Sequence, residues 1–346
     1  MPDKLQFGLI GCGSQGQYLC EALAMTGMAE LVACCDVKAE AAERAAARLG
    51  FEEAYDNCEE MLSEASLDAV IVATTHDQLQ PTAMAAVRAG KHALVEKPMA
   101  LNAAEGRALV AAAEDAGVNL MVGYTLRFMP ERILMKRLLD EGAVGELAHV
   151  IAGQLIGGLS GWLADPERGG GPLLYVGAHV LDQVLWVAGS RAERVFAEVT
   201  WASEGGVEAG VDLTIRFEGG AVAQVCTSQK MGGRYGWLDI IGSGGRVRTE
   251  WESNELYVES RALEAYRHPT RIEVPMDPYL PPVEPGARGS MVAVKYLRMW
   301  ATELAEFCDS IVEGRPASVT GEDGVRVLEV TDAVFESART GGAVEL

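Results

Sequence analysis

The chain has 346 residues, 49% of them hydrophobic and 23% charged, and a formal net charge of −21. That length is enough for two domains with large cores. The acidity argues against nucleic acid or an anionic membrane surface as a partner, and no window reaches the length of an apolar membrane span.

Met1-Pro2-Asp3-Lys4 leads straight into a strand, with no apolar core or cleavage signal of a secretory leader. The strand, Leu5 to Ile10, runs into Gly11-Cys12-Gly13-Ser14-Gln15-Gly16, and a helical pattern follows to about Gly27. This is G-x-G-x-x-G in its dinucleotide-binding context. Gly11 permits the tight turn, Gly13 lets backbone approach a pyrophosphate, and Gly16 lets helix pack on strand. The helix N-terminus, with Ser14 and Gln15 in its first turn, offers unpaired N–H groups to phosphate. A second strand, Glu30 to Cys35, ends at Asp36, about twenty residues past Gly16, where a carboxylate accepts from adenosine ribose hydroxyls. A 2'-phosphate would meet like charge there, so NAD is expected over NADP. Lys38 keeps NADP open as a phosphate partner, and Asp36 has a second reading as a helix N-cap. The seven cysteines (Cys12, Cys20, Cys34, Cys35, Cys58, Cys226, Cys308) are odd in number and contain no C-x-x-C. No disulfide framework emerges, and a reducing, cytoplasmic setting is expected.

A helix over Ala39–Leu49, a short strand near Ala54-Tyr55 and a helix from about Asn57 to Ser63 follow. Ala69 to Ala73 reads as a fully buried parallel strand. Thr74-Thr75-His76 leaves its carboxyl end, where ligands bind in open α/β sheets, so all three join the expected cofactor set. For His76 a solvated loop histidine is the competing reading. Helix 78–89 stops at Gly90, and strand Ala93 to Val95 ends in Glu96-Lys97-Pro98. Helix 102–116 and strand 120–122 complete a doubly wound parallel sheet, residues 1–123. A lysine on a strand-end turn beside a rigid proline projects into the ligand crevice, and its ammonium can stabilise alkoxide character as hydride leaves. The bland reading is a surface lysine weakly paired with Glu96.

The glycine turn, Asp36 and above all Ala89-Gly90-Lys91-His92-Ala93-Leu94-Val95-Glu96-Lys97-Pro98 resemble the Gfo/Idh/MocA oxidoreductases, the glucose–fructose oxidoreductase and inositol dehydrogenase relatives. The resemblance covers essentially the whole chain. Tyr124-Thr125-Leu126-Arg127-Phe128-Met129-Pro130 is similar to the family's R-F-x-P entry to the second domain, and Gly169 through Asp182 to its G-G-G-x-L-x-D-x-G-x-H-x-x-D segment. It implies NAD(P)-dependent oxidation or reduction of sugars and polyols, with Glu96, Lys97 and Arg127 at the cofactor and a cis bond before Pro98. Departures are Thr75 where proline is usual, Leu79 at a usual histidine, and Tyr175 at a usual aspartate.

From Glu146 the pattern turns to strands: 147–155, 195–201, 211–217, 221–227, 237–242, 245–251 and 255–258, with helices at about 172–188 and 291–313. Gly219-Gly220 and Ser243-Gly244 read as hairpin turns. A mainly antiparallel open sheet within residues 124–346 is expected, and the resemblance implies that its outer face makes homo-dimer or homo-tetramer contacts. His92 is expected to be structural. Of five histidines, His179 lies in the matching motif. An imidazole titrates near working pH and can take the proton released on alcohol oxidation; a core histidine is the alternative. Tyr175 brings a phenol, a poor substitute for a carboxylate but a hydrogen-bond donor. Asp182, one turn on, orients substrate or imidazole, or is a surface acid. Trp162 offers a face for a sugar ring or simply packs in the core, and Arg127, Asp165, Arg168 and Tyr235 are further candidates for the substrate wall. The stretch from His268 to Pro285 is proline-rich and reads as a semi-rigid loop closing over the site or a neighbour subunit. No metal constellation appears.

The expected protein is therefore an NAD-preferring oxidoreductase acting on a secondary hydroxyl of a sugar, polyol or related cyclic alcohol, with Lys97, Tyr175 and His179 in the reaction and Lys97, Trp162, Tyr175, His179 and Asp182 at the substrate. Two alternatives stand: a hydrolase or lyase of the same fold that oxidises its sugar transiently, and a non-catalytic NAD-binding sensor.

Overall fold

The computed structural model describes residues 4–251, 253–274 and 291–346. The elements, in order, are β1 (Leu5–Ile10), α1 (Ser14–Thr26), β2 (Ala29–Cys35), α2 (Ala39–Leu49), β3 (Glu53–Tyr55), α3 (Cys58–Glu64), β4 (Ala69–Val72), α4 (His76–Arg88), β5 (His92–Glu96), α5 (Ala103–Ala116) and β6 (Leu120–Gly123). Then come α6 (Pro130–Asp140), β7 (Leu147–Leu155), α7 (Ala178–Ala188), β8 (Ala192–Trp201), β9 (Glu208–Phe217), β10 (Val222–Ser228), β11 (Tyr235–Gly242), β12 (Gly245–Glu250), β13 (Glu255–Ser260) and β14 (Thr270–Glu273). Helices α8 (Met291–Val312) and α9 (Gly321–Thr340) and the short β15 (Val344–Glu345) close the chain.

Two compact units result: Met1–Thr125 with Pro282–Val325, and Leu126–Pro281 with Arg326–Leu346. A single cut after Gly123 therefore does not describe the chain. Helix α8, expected with the second domain, packs in the first unit, where Trp300 stacks on Tyr18 of α1 at 5.9 Å and Phe307 meets Phe7 edge-on at 6.1 Å.

In the first unit the described strands form a parallel sheet in the order β3-β2-β1-β4-β5-β6. This is the doubly wound order, with its switch point between β1 and β4. Every residue of Ala69–Val72 is buried, as a strand covered on both faces requires. Asn57 and Asn102 cap α3 and α5, their side chains accepting from Glu60 N–H and Glu105 N–H.

The second unit holds a mixed, mostly antiparallel sheet, ordered β14-β13-β12-β11-β7-β10-β9-β8-β15 among the described residues. At its centre β7 runs parallel to β10 and antiparallel to β11. Strand β9 shows the one-sided pattern: Val211, Leu213, Ile215 and Phe217 are buried while Asp212, Thr214 and Arg216 are exposed. Gly219 and Gly220 both adopt positive φ in the β9–β10 hairpin, as expected from the pair. Of the proline-rich stretch, the part up to Val274 contains β14, and residues 275–285 lie outside the described residues. No described helix is long and apolar enough to cross a membrane.

Candidate active site

In the first unit, the candidate residues collect at the carboxyl end of the parallel strands. Gly11 follows β1 with φ +95, and a Cβ there would sit 2.5 Å from the Ala73 carbonyl oxygen. The turn thus packs on the backbone leaving β4, next to Thr74. Gly16 would drive a Cβ into the Gly11 carbonyl oxygen and to 2.8 Å from Leu9 Cδ1. Gly13 differs: nothing lies within 4 Å of a Cβ placed on it. The protein itself does not require that glycine, and the open side of the turn is the cradle a pyrophosphate needs. Ser14 and Gln15 begin α1.

Asp36 is not the N-cap of α2, which is Lys38, but it makes two backbone contacts. Its Oδ2 accepts from the Cys12 N–H at 3.0 Å, bracing the glycine turn, and its Oδ1 accepts from Lys38 N–H at 3.0 Å at the start of α2. A carboxylate oxygen accepts more than one hydrogen bond, so capacity for ribose hydroxyls remains. The residues present therefore fit NAD.

His76 is not a solvated loop residue: α4 starts two positions earlier than expected, at His76 itself, which is 4% exposed. The turn after β5 is more buried than a surface reading of Lys97 allows, with Glu96 at 8% and Lys97 at 9% exposure. The Lys97–Pro98 peptide is cis. Gln15 Nε2 donates to Glu96 Oε1 at 2.7 Å, and Lys97 N–H to Glu96 Oε2 at 3.2 Å. Burial raises the Glu96 pKa, against the opposing effects of Lys97's charge and these hydrogen bonds. The first turn of α1 and the Glu96-Lys97-Pro98 turn are thus joined directly. His92 is structural, as expected: its Nδ1 accepts from Asn119 N–H at 2.9 Å, and burial lowers its pKa.

In the second unit, Tyr175 and His179 lie one turn apart and are half-buried on a segment whose other faces are covered. The segment opens with a π turn, Leu173–Gly177, and continues as α7; such wide turns occur frequently at functional sites. The three glycines before it have separate causes. Gly169 ends a short 3-10 turn with φ +73, Gly170 has no room for a Cβ against the Leu163 and Asp165 carbonyls, and Gly171 has φ +103. Trp251 meets the His179 ring edge-on at 6.2 Å, with Arg234 over the indole at 5.5 Å. Trp162 is half-buried in a 3-10 turn, Gly161–Ala164.

Asp182 is not the surface acid that one reading allowed. Asp182 is 1% exposed and Arg127 7%, and they pair with each other. Arg127 Nε donates to both carboxylate oxygens at 3.0 and 3.1 Å and Nη2 to Oδ1. The guanidinium also lies 5.3 Å from the Trp186 ring centre. The physical reason is burial: two opposite charges removed from water satisfy each other.

Sequence reasoning missed Glu208 altogether. Its carboxylate is 2% exposed, accepts the Leu173 N–H at 2.7 Å, and is pushed to a raised pKa by burial. Alternation along β9 assigns position 208 to the polar face, so its burial carried no sequence signal.

A parallel sheet in this strand order with a glycine turn at its switch point defines a dinucleotide-binding fold. Family models agree. Residues 5–124 match the oxidoreductase family, NAD-binding Rossmann fold, and residues 133–248 match the GFO/IDH/MocA C-terminal domain. The chain belongs to the Gfo/Idh/MocA oxidoreductase family. It is 30% identical to 1,5-anhydro-D-fructose reductase of Ensifer adhaerens, covering 99% of this chain and 98% of that one. It is 27% identical to myo-inositol 2-dehydrogenase of Thermotoga maritima, over 99% and 98% of the two chains. Among solved structures, levoglucosan dehydrogenase in complex with NADH and levoglucosan matches with a TM-score of 0.88 at 26% identity, over 99% of each chain.

Proposed function

We propose that this chain is an NAD-preferring dehydrogenase or reductase that moves a hydride between nicotinamide and a secondary hydroxyl of a sugar, polyol or related cyclic alcohol. Lys97 carries the reading. It is 9% exposed, at the carboxyl end of a strand of the sheet whose switch point bears the glycine turn. Lysines are almost never fully buried unless paired, and this one sits beside Glu96 at a strand end. The relatives named for 1,5-anhydro-D-fructose, levoglucosan and myo-inositol direct the choice to sugars and polyols.

Gly11, Gly13, Ser14, Gln15 and Gly16 would hold the pyrophosphate and Asp36 the ribose, while Thr74, Thr75, His76 and Glu96 line the same strand ends. When bound, NAD supplies the hydride acceptor. Lys97 donates a hydrogen bond to the reacting oxygen and stabilises the negative charge that grows on it as the C–H bond breaks. His179 takes the hydroxyl proton, so that alcohol and NAD+ give carbonyl, NADH and one proton. Tyr175 donates its phenolic hydrogen to a neighbouring substrate oxygen, and Trp162 offers an apolar face to the ring. Arg127 and Asp182 hold α7 in place. Asp36 supports NAD over NADP through repulsion of a 2'-phosphate. Seven free thiols suit a reducing cytoplasm. The outward face of the large sheet, with Ile151 and Phe196 at 37% and 39% exposure, suits a homo-dimer or homo-tetramer contact.

The test is nicotinamide absorbance with NAD, then NADP, against 1,5-anhydro-D-fructose, levoglucosan, myo-inositol and a wider sugar panel. Lys97→Ala is expected to lower turnover by about 10²-fold or more while NADH still binds. Full turnover by that variant would remove Lys97 from the reaction, and a cleaved glycoside without net NADH would convert the reading to transient oxidation.

A further inference from the structure

We infer that Glu208 is a positioning residue for this reaction: its buried carboxylate clamps the start of the helical segment that presents Tyr175 and His179. The inference rests on the role proposed above for those two side chains.

The first N–H groups of a helix have no partner within it. Here the residue before the π turn is Pro172, and no side chain of the segment caps it. Glu208, at the first position of β9, supplies the missing acceptor to Leu173 N–H from 35 residues away. A negative group at this end also meets the positive end of the helix dipole. The same carboxylate lies flat against Gly171, where a Cβ would fall 2.7 Å from the carboxyl carbon. The third glycine of the motif is therefore required twice, by its φ of +103 and by the carboxylate beside it.

From Gly171 the effect runs directly to the candidate residues. The Gly171 carbonyl accepts from Tyr175 N–H at 3.1 Å, and His179 stands one turn further on. The clamp is itself anchored: the Glu208 carbonyl accepts from Gln229 Nε2 at 2.7 Å, and the Ala209 carbonyl from Gln229 N–H at 3.0 Å. Strand β9 is held on both sides by β8 and β10. Glu208 thus ties the start of a helix carrying half-buried polar side chains to an interior strand of the sheet. A reacting group displaced by about 1 Å loses on the order of 10²-fold in rate, so the clamp acts on turnover through placement.

The experiment compares Glu208→Ala, Glu208→Gln and His179→Asn with wild type. One readout is amide exchange over 171–180. The others are kcat on whichever of 1,5-anhydro-D-fructose, levoglucosan or myo-inositol the wild type turns over fastest, and NADH affinity by fluorescence. In Glu208→Ala, exchange at Leu173 through Tyr175 is expected to rise about ten-fold or more while β9 amides hold, and kcat to fall about 10- to 100-fold at unchanged NADH affinity. Glu208→Gln keeps an oxygen acceptor for Leu173 N–H and recovers most of both losses. Wild-type kcat in Glu208→Ala, or equal losses in Ala and Gln, overturns the clamp while leaving the reading of the site intact. Wild-type turnover in His179→Asn overturns the site reading, and the clamp with it. Should Glu208→Ala fail to fold, Glu208→Asp carries the test: it retains the charge, withdraws the carboxylate by one methylene, and is expected to lose the same rate.

Discussion

Removing Asp182 should unfold the second unit's helix support at a cost set by burial. Asp182 is 1% exposed and takes three N–H···O contacts from Arg127, itself 7% exposed and lying over Trp186. Asp182→Ala deletes the carboxylate and leaves the guanidinium charge in the interior. Breaking a buried pair from one side costs about 3–5 kcal/mol, which for a unit of this size lowers the melting temperature by about 6–20 °C. Asp182→Leu combined with Arg127→Met removes both charges and keeps the volume, and replacing a whole buried pair by apolar groups is often neutral. The double variant should therefore recover most of the single loss. Differential scanning fluorimetry of the two singles and the double closes the cycle. A melting temperature within about 2 °C of wild type for Asp182→Ala, or strictly additive losses in the double, would refute the claim that this pair holds α7.

Gly13→Ala should melt like wild type, because nothing lies within 4 Å of the added methyl, yet bind NADH more weakly; Gly11→Ala, with φ +95 and a carbonyl 2.5 Å away, should lose stability first. Thermal melts with and without NADH separate the two. His92 gives a pH prediction. Burial lowers its folded pKa below the ordinary 6.5, so as pH falls through 6.5 the unfolded chain takes up the proton first. Stability is full above that pH and declines below it until the folded pKa is reached. Urea melts of wild type and His92→Gln at neutral and mildly acidic pH should show a smaller acid-side loss in the variant.

The first unit was legible because its signals are local: a buried strand, a glycine turn, a capped helix, repeated in order. Asn57 and Asn102 cap where the sequence puts helix starts. What escaped was long-range or disguised. Helix α8 joins the first unit through Tyr18 and Phe7, contacts that no local pattern announces. Helix α6 went unread because two of its buried positions are Glu131 and Arg132, 1% and 2% exposed, which break the apolar stripe. Strands β14 and β15 are short edge strands with too few residues to alternate. At the site, motif residues were visible by type, but Asp182 and Arg127 became a pair only in three dimensions.

Tyr175 poses the sharpest chemical question for the proposed reaction. A carboxylate at that position would bring a negative charge to the segment; a phenol brings a hydrogen-bond donor instead. Lys97 has a carboxylate beside it in its own turn. Glu96 adjoins it, held by Gln15, and the charge of Lys97 opposes the rise that burial imposes on the Glu96 pKa. In the proposed reading, Tyr175 serves the substrate. A donor there suits a substrate oxygen that accepts, a carbonyl or ring ether, better than a hydroxyl that must itself be deprotonated. The proposed division of labour is chemically consistent: Lys97 would meet the charge on the reacting oxygen, His179 would take the proton, and Tyr175 would orient a neighbouring oxygen.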